Sequence, residues 1–549
     1  MTTKIINELT CGQALVKLLE AYGVDTVFGI PGVHTLDLYD GLSGSTIQHV
    51  LARHEQGAGF MADGYARVTG KPGVCFTITG PGVTNIATPM GQAFADSIPM
   101  LVISSVNKVN SMGRGRGELH ETKDQRAITT PITAFSATAY SPSEVPALIA
   151  RAFSIFNSER PRPVFIELPL DVINASINSD WLSKPVQLAP RPAPQNRTVI
   201  QATDMLSQAK KPVIIAGGGA IAAGGELQQL AEQLGAAVFT TVAAKGLLPT
   251  DHPLYVGSIL CVEPSWQFLA DADVILAVGT ELAETDMWRE KLPLSGKLIR
   301  VDIDPEKMND LYLADLPIIA DAACTLDAFY KALSSAEKVN AQSTTAMLRT
   351  LKNQVKTDVE PLQKIHQQVL DVVARVLPDD SFISADMTQI AYTGNYLFEV
   401  NKPRSWLHPT GYGTLGYALP ASIGAKFGAP ERPGLVLAGD GGILYTIQEL
   451  ATACEELKSP LVVLLWNNDS LGQIRDDMVA QGIEPIGVNP KTPDFIKIAQ
   501  GFGCNTAKPD SLQALEQNLR DAFTFNGVTL IQMNENYLRS TTHLSGASA

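Results

Sequence analysis

Short, nearly unbroken apolar runs alternate with longer amphipathic stretches along the whole chain. Val74–Thr79, Met100–Ser104, Val213–Ala216, Val274–Val278, Leu435–Ala438 and Leu461–Trp466 are such runs, each followed by Gly, Ser or Asn. Runs of this length between helical stretches predict buried parallel strands in βαβ units. Two stretches break the pattern and read as linkers. One is the Pro-rich Leu188–Arg197, LAPRPAPQNR; the other is the polar region from Ser334 to about Lys356. The expected fold class is α/β, three doubly wound parallel-sheet domains, spanning 1–187, 198–333 and 357–549.

Composition changes this picture only at its edges. A chain of 549 residues exceeds one hydrophobic core, and 45% hydrophobic with 18% charged residues is an ordinary globular balance. The formal net charge of −14 argues against a nucleic-acid partner, which requires clustered Lys and Arg. Six cysteines stand far apart with no CxxC pair, so neither a zinc site nor a disulfide framework is expected, and each reads as a small buried hydrophobe. The N-terminal MTTKIINELT has no apolar signal core, and no run approaches the ~20 apolar residues of a membrane span. No membrane association and a cytoplasmic location are therefore expected.

The strongest candidate chemistry lies in the last third. LVLAGDGGILYTIQELATA (Leu435–Ala453) is followed by LVVLLWNNDS (Leu461–Ser470). One strand ends at Gly439–Asp440–Gly441 and the next at Asn467–Asn468, which puts the two ends side by side at the carboxyl edge of a parallel sheet. A carboxylate and an amide oxygen are hard donors suited to magnesium, which shares its shell with phosphate oxygens. Gly441 and Gly442 would let backbone N–H groups approach a diphosphate.

GDG followed, after a helix and a strand, by NN resembles the signature of thiamine-diphosphate enzymes. The resemblance implies a metal held by Asp440, Asn468 and the carbonyl of Ser470, with Asn467 as the alternative to Asn468 and Gly439 beside the diphosphate. SWLHPTGYGTLGYALPASIGA, Ser405–Ala425, resembles the stretch that keeps the cofactor bent. Leu415 takes the position wedged between its rings, and the Gly413 carbonyl that of acceptor for the 4′-amino group. ADMTQ, Ala385–Gln389, matches the diphosphate loop, with Gln389 as its polar contact.

RHEQGA in the first third resembles the pyrimidine-binding domain of acetolactate synthases and related decarboxylases. This implies that Glu55 contacts N1′ of the aminopyrimidine and shares a proton with it, while Thr79 in TGPGVTN lines the site. Family members place this Glu and the metal on different subunits, so a homodimer at minimum, and a homotetramer by family likeness, is expected. The three domains would then be pyrimidine-binding, central and diphosphate-binding. The GGG turn in Lys210–Leu230 is weak evidence for a nucleotide. Acetolactate synthases hold flavin adenine dinucleotide in this domain with an FDDR-like segment, where this chain reads GTELAETDMWREKLP; FAD is not expected.

Within the superfamily, Leu119–His120–Glu121, Thr130 and Asp476–Asp477 depart from acetolactate synthases. GIPGVHTLDLYD, LHETKDQRA, SADMTQIAYTGNY, SWLHPTGYGTLGY and WNNDSLGQIRDDM are similar instead to the 2-ketoarginine decarboxylases. The resemblance implies non-oxidative decarboxylation of a small-molecule 2-oxo acid, 5-guanidino-2-oxopentanoate, to 4-guanidinobutanal and carbon dioxide in arginine catabolism by the transaminase route. The alternative is acetolactate synthase-like carboligation of pyruvate. A guanidinium is a planar fork that pairs bidentately with carboxylates, so Asp476 and Asp477 are the first candidates to receive it, before Glu118, Glu121 and Asp286. His120 is the candidate proton donor, because histidine is the side chain suited to proton exchange near neutral pH, with His34 second and His408 read as structural. Val33 stands where some simple decarboxylases carry Asp or Ser.

Overall fold

A computed structural model describes residues 9–177 and 185–541. The MTTKIINELT segment, apart from its last two residues, lies outside them. Three six-stranded sheets, parallel throughout, follow one another along the chain. In space the first runs Gln48–Leu51, Thr26–Gly29, Gly73–Thr77, Met100–Val106, Val164–Pro169, Phe135–Thr138. The third runs Trp406–Leu407, Phe382–Ala385, Gly434–Gly439, Leu461–Asn467, Val528–Asn534, Asn505–Ala507. Numbered within each sheet, both read 2-1-3-4-6-5, so the outer sheets share one topology. The middle sheet reads 3-2-1-4-5-6, from Tyr255–Gly257 at one edge to Leu316–Ile319 at the other. Helices on both faces bury the inner strands completely, which is why these strands read as continuous apolar runs rather than alternating ones.

The outer units meet at one helix crossing. Glu55–Thr69 packs on Ala418–Gly428, and the contact is too close for side chains. A Cβ on Gly64 would lie 1.9 Å from the Ala421 carbonyl oxygen, and one on Gly424 would lie 1.8 Å from that of Met61. Phe28, Met61, Ile423, Val436 and Phe495 consequently belong to a single core drawn from both units. A buried polar group pins the crossing: Arg67 pairs with Asp63 and Asp96, both at 2.6 Å, while the Tyr417 hydroxyl donates to Asp63 at 2.7 Å. The middle unit is tied to the third by Lys245, whose buried ammonium donates to the carbonyls of Gly394, Asn395 and Phe398.

Two expectations are corrected. The polar stretch after Ser334 contains a helix, Gln342–Thr357, whose Leu348, Leu351 and Val355 pack into the core of the middle unit. The cysteines are not all isolated: Cys454 and Cys504 bring their sulfurs to 3.4 Å, because the helix carrying Cys454 lies over the chain entering Asn505–Ala507. Strand ends differ slightly, the run from Val74 leaving its strand at Thr77 so that Thr79 lies in the turn beyond. Among the described residues no helix is long and apolar enough to cross a membrane.

Two predictions follow from this packing. Gly424→Ala should cost about 3 kcal/mol or more by forcing the helices apart, read as a lower urea midpoint; an unchanged midpoint would show that the crossing yields freely. Burial also lowers the imidazoles of His366 to about 3 and His408 to about 4. Both stay neutral in the folded chain, while the unfolded chain protonates below about pH 6.5. Their contribution is therefore present above pH 6.5 and is lost as pH falls toward 4 and then 3. His366→Asn should lose about 3 kcal/mol less than the parent between pH 7 and 4.5; parallel losses would remove His366 as a cause.

Candidate active site

Both outer sheets have their topological switch point between the first and third strands, where α/β folds open a crevice at the carboxyl edge. In the third unit, Phe382–Ala385 runs into Asp386–Gln389 and Gly434–Gly439 into Asp440–Gly442. Asp440 is buried and its carboxylate accepts from the amides of Gly441 at 3.0 Å and Asp469 at 2.8 Å. Burial pushes that carboxyl up to about 6, and its charged neighbour is Asp469 rather than a cation. Asn467 ends the adjacent strand, buried, and Asn468 is the first residue past the edge, half-buried. The Asn468 side chain donates to Gln389 Oε1 at 3.4 Å and accepts from the Ser470 amide at 3.1 Å. Asp440, Asn468 and the Ser470 backbone thus share one corner. A buried carboxylate beside amide and backbone oxygens, with a second carboxylate at Asp469 and no ion pair to Asp440 among the described residues, is a donor set that suits magnesium sharing phosphate oxygens.

The walls of this corner are backbone. A Cβ on Gly442 would meet the Asp386 carboxylate at 3.2 Å, and one on Gly439 would meet Thr388 Oγ1 at 2.9 Å. Gly413 and Gly416 hold φ of +68° and +78°, conformations that favour glycine, and half-buried Leu415 lies between them. Asp386 fixes this turn. Its buried carboxylate accepts the Gly416 amide at 3.0 Å and the Met387 amide at 2.9 Å, and burial lifts it to about 6.

The switch point of the first unit gathers the other candidates. Glu55 begins its helix, largely buried, and accepts from the Asn85 side-chain amide at 2.9 Å. Across the crevice, His34 Nδ1 and Thr79 Oγ1 are 3.0 Å apart, and Thr79 also bonds Ser105 at 3.0 Å. The rings of His34 and His120 meet edge to face at 5.3 Å. His120 holds φ +62°, and its buried Nδ1 has no hydrogen-bond partner among the described residues. Among these residues no hydrogen bond or ion pair joins this group to the Asp440 corner. His408 is buried against the Ala385 carbonyl at 3.2 Å, in keeping with a structural part.

The proposed guanidinium receptors separate. Asp476 already holds a guanidinium, that of Arg475, at 2.9 and 3.0 Å, and it accepts from Gln389 at 3.0 Å. Asp477 faces the exposed side, accepting from Gln473 at 3.1 Å. Glu121 is removed as a receptor because the amides of Gly115, Arg116, Gly117 and Glu118 occupy its two oxygens, organising an exposed loop. Glu118 is exposed in that same loop. Asp286 is removed as well: it is engaged by the Val242 amide at 3.1 Å in the middle unit, and burial raises it to about 7.

Asp286 lines a cleft of about 310 Å³ where the three units meet. The GGG turn borders this cleft but is packed against its own unit. Gly217 and Gly219 donate to the carbonyls of Val278 and Gly279, both at 3.0 Å, and a Cβ on Gly217 would stand 2.4 Å from the Gly279 oxygen. These glycines are explained by close packing. Asp386 and Asn85 were missed in the sequence although both lie inside segments singled out there, ADMTQ and TGPGVTN. Only their position beside Gly416 and Glu55 distinguishes them.

Comparison with known proteins gives the whole arrangement a family. The N-terminal TPP binding domain of the thiamine pyrophosphate enzymes matches residues 9–128, their central domain 199–329, and their C-terminal TPP binding domain 386–533. A protein described as a probable 2-ketoarginine decarboxylase, AruI, from Pseudomonas aeruginosa is 61% identical, covering 96% of this chain and 94% of that protein. The acetolactate synthase large subunit of Corynebacterium glutamicum is 35% identical over 91% of this chain and 82% of its own length. The isozyme 1 large subunit from Escherichia coli is 32% identical over 97% and 95%. With matches of this extent, two switch-point crevices, and a buried carboxylate in a glycine-walled corner, the chain belongs to the thiamine pyrophosphate enzyme family.

Proposed function

We propose that this chain is a thiamine-diphosphate- and magnesium-dependent decarboxylase of 5-guanidino-2-oxopentanoate, releasing 4-guanidinobutanal and carbon dioxide in arginine catabolism. The observation that carries the substrate is the 61% identity with the probable 2-ketoarginine decarboxylase over nearly the full length of both chains. Asp440, Asn468 and the Ser470 carbonyl would hold magnesium, and Gly439, Gly441, Gly442 and Gln389 would line the diphosphate. When bound, thiamine diphosphate supplies a carbon nucleophile for the keto group and an electron sink for the departing carboxylate.

The chain's own residues do the rest. Glu55, held by Asn85, keeps a proton at the aminopyrimidine ring nitrogen, and Leu415 with the Gly413 carbonyl orients that ring. Thr79 sets the His34 ring, and His120, with an unsatisfied Nδ1, moves a proton to the product carbon. Asp477 receives the substrate guanidinium, or Asp476 does so in exchange for Arg475.

The two groups of residues complete one another across a second copy, so the reading includes a homodimer at minimum. Its support is apolar surface at both crevices: Val33, Leu36 and Leu119 are exposed at one, and Ile474, Val479, Ile483 and Ile486 follow the other. Identities of 32 to 35% with acetolactate synthases keep carboligation of pyruvate as a second outcome to be measured.

With thiamine diphosphate and magnesium present, 2-ketoarginine should yield carbon dioxide and 4-guanidinobutanal, and pyruvate little of either carbon dioxide or acetolactate. Preference for pyruvate would refute the substrate. Glu55→Gln should lower kcat by about 100-fold or more, and Asp440→Ala should abolish cofactor-dependent activity. Asp477→Asn or Asp476→Asn should raise KM for 2-ketoarginine by about tenfold or more, with little change toward an uncharged 2-oxo acid; no effect from either excludes both as receptors.

A further inference from the structure

The turn that delivers Glu55 is held from outside its own unit. Leu51–His54 leads into the helix that Glu55 begins, and it lies against Glu449–Glu456 of the third unit. Both oxygens of Glu449 accept the Arg53 amide at 3.1 Å, and the His54 amide also points to this carboxylate. Thr452 Oγ1 lies 3.0 Å from the Leu51 carbonyl and from Glu449 Oε2, while the Arg53 guanidinium pairs with Glu455. Glu449, Thr452 and Glu455 recur every three residues, so one face of this two-turn helix makes all three contacts.

Glu449 is fully buried and, among the described residues, forms no ion pair, which is costly for a carboxylate. The guanidinium nearest in sequence, that of Arg53, is spent on Glu455 and the Leu51 carbonyl. Burial accordingly pushes the Glu449 carboxyl up to about 7, although the Arg53 and His54 amides pull it back. Space is reserved for it: a Cβ on Gly57 would stand 2.3 Å from Glu449 Oε1. Nothing in the metal corner or the proton-moving residues requires a carboxylate here. Apart from Thr452 in its own helix, its side-chain contacts converge on the two residues before Glu55 and the one two residues after it.

We propose that Glu449 is a positioning residue for Glu55, fixing the Arg53–His54 turn so that Glu55 presents its carboxyl to the cofactor. The inference rests on the part given to Glu55 above. A displaced Glu55 loses proton exchange with the ring nitrogen before the protein loses the cofactor, because the diphosphate and metal are held by the third unit's switch point.

The test compares the holoenzyme with Glu449→Gln, Glu55→Gln and the double variant. Three quantities are read: the rate at which the bound cofactor exchanges its C2 proton for deuterium, the Kd for thiamine diphosphate, and the thermal midpoint. Glu449→Gln should slow exchange by about 10- to 100-fold, with Kd changed less than about threefold. The double variant should exchange no more slowly than Glu55→Gln alone, since both changes act at one point. Gly57→Ala, which crowds Glu449 without touching its charge and favours the helix, should show the same signature and carries the test if Glu449→Gln does not fold. Wild-type exchange in Glu449→Gln or Gly57→Ala, or additive slowing in the double variant, overturns the proposal alone. Wild-type exchange in Glu55→Gln overturns both this proposal and the part assigned to Glu55.

Discussion

The close crossing of Glu55–Thr69 over Ala418–Gly428 is the constraint on which the rest of the molecule depends. Glu55 stands in the first turn of one helix, and the Gly413–Gly416 turn leads directly into the other. Whatever fixes this crossing therefore fixes how the two turns sit relative to each other within one chain. Gly64 and Gly424 permit the approach. The buried Asp63–Arg67–Asp96 group and Tyr417 then add directional contacts that bind the two helices in this register. Buried ion networks of this sort add little net stability, because desolvation offsets the attraction; here the network's worth lies in its geometry.

The carboxylates of Asp440, Asp386 and Glu449 are buried without an ion-pair partner among the described residues, and burial raises each toward neutrality. They do different things with that cost. Asp386 and Glu449 spend their oxygens on backbone amides and so shape turns, one beside the proposed cofactor ring and one beneath Glu55. Asp440 also accepts amides but stands at an open corner facing glycines, where a divalent cation would remove the penalty. The contrast between a satisfied and an unbalanced buried carboxylate is what sets Asp440 apart as the proposed metal ligand.

The layered α/β fold was legible because fully buried parallel strands must be apolar along their whole length, and every run singled out lies within or overlaps a strand. Asp440 and Asn468 were legible as a pair because adjacent parallel strands bring their ends together. The Gln342–Thr357 helix was not, since Leu348, Leu351 and Val355 are diluted by polar neighbours on its solvent side. Nor could spacing reveal the approach of Cys454 to Cys504, or that Arg475 would fold onto Asp476 next to it. Glu449 lay inside a segment read for its glycines. Its partners at Arg53 and His54 are about 400 residues away, beyond the reach of any local pattern.

That distance has a consequence for how the protein is made. The face of the first unit around Gly64, including Met61, is covered only by a helix that follows some 360 residues later. At ~5–20 residues per second, a ribosome needs roughly 20 to 70 s to supply it. Throughout that interval a nascent first unit would carry an apolar, glycine-notched groove with nothing native to fill it. Its completion is thus a late event in synthesis, and the exposed groove is where a chaperone would be needed most.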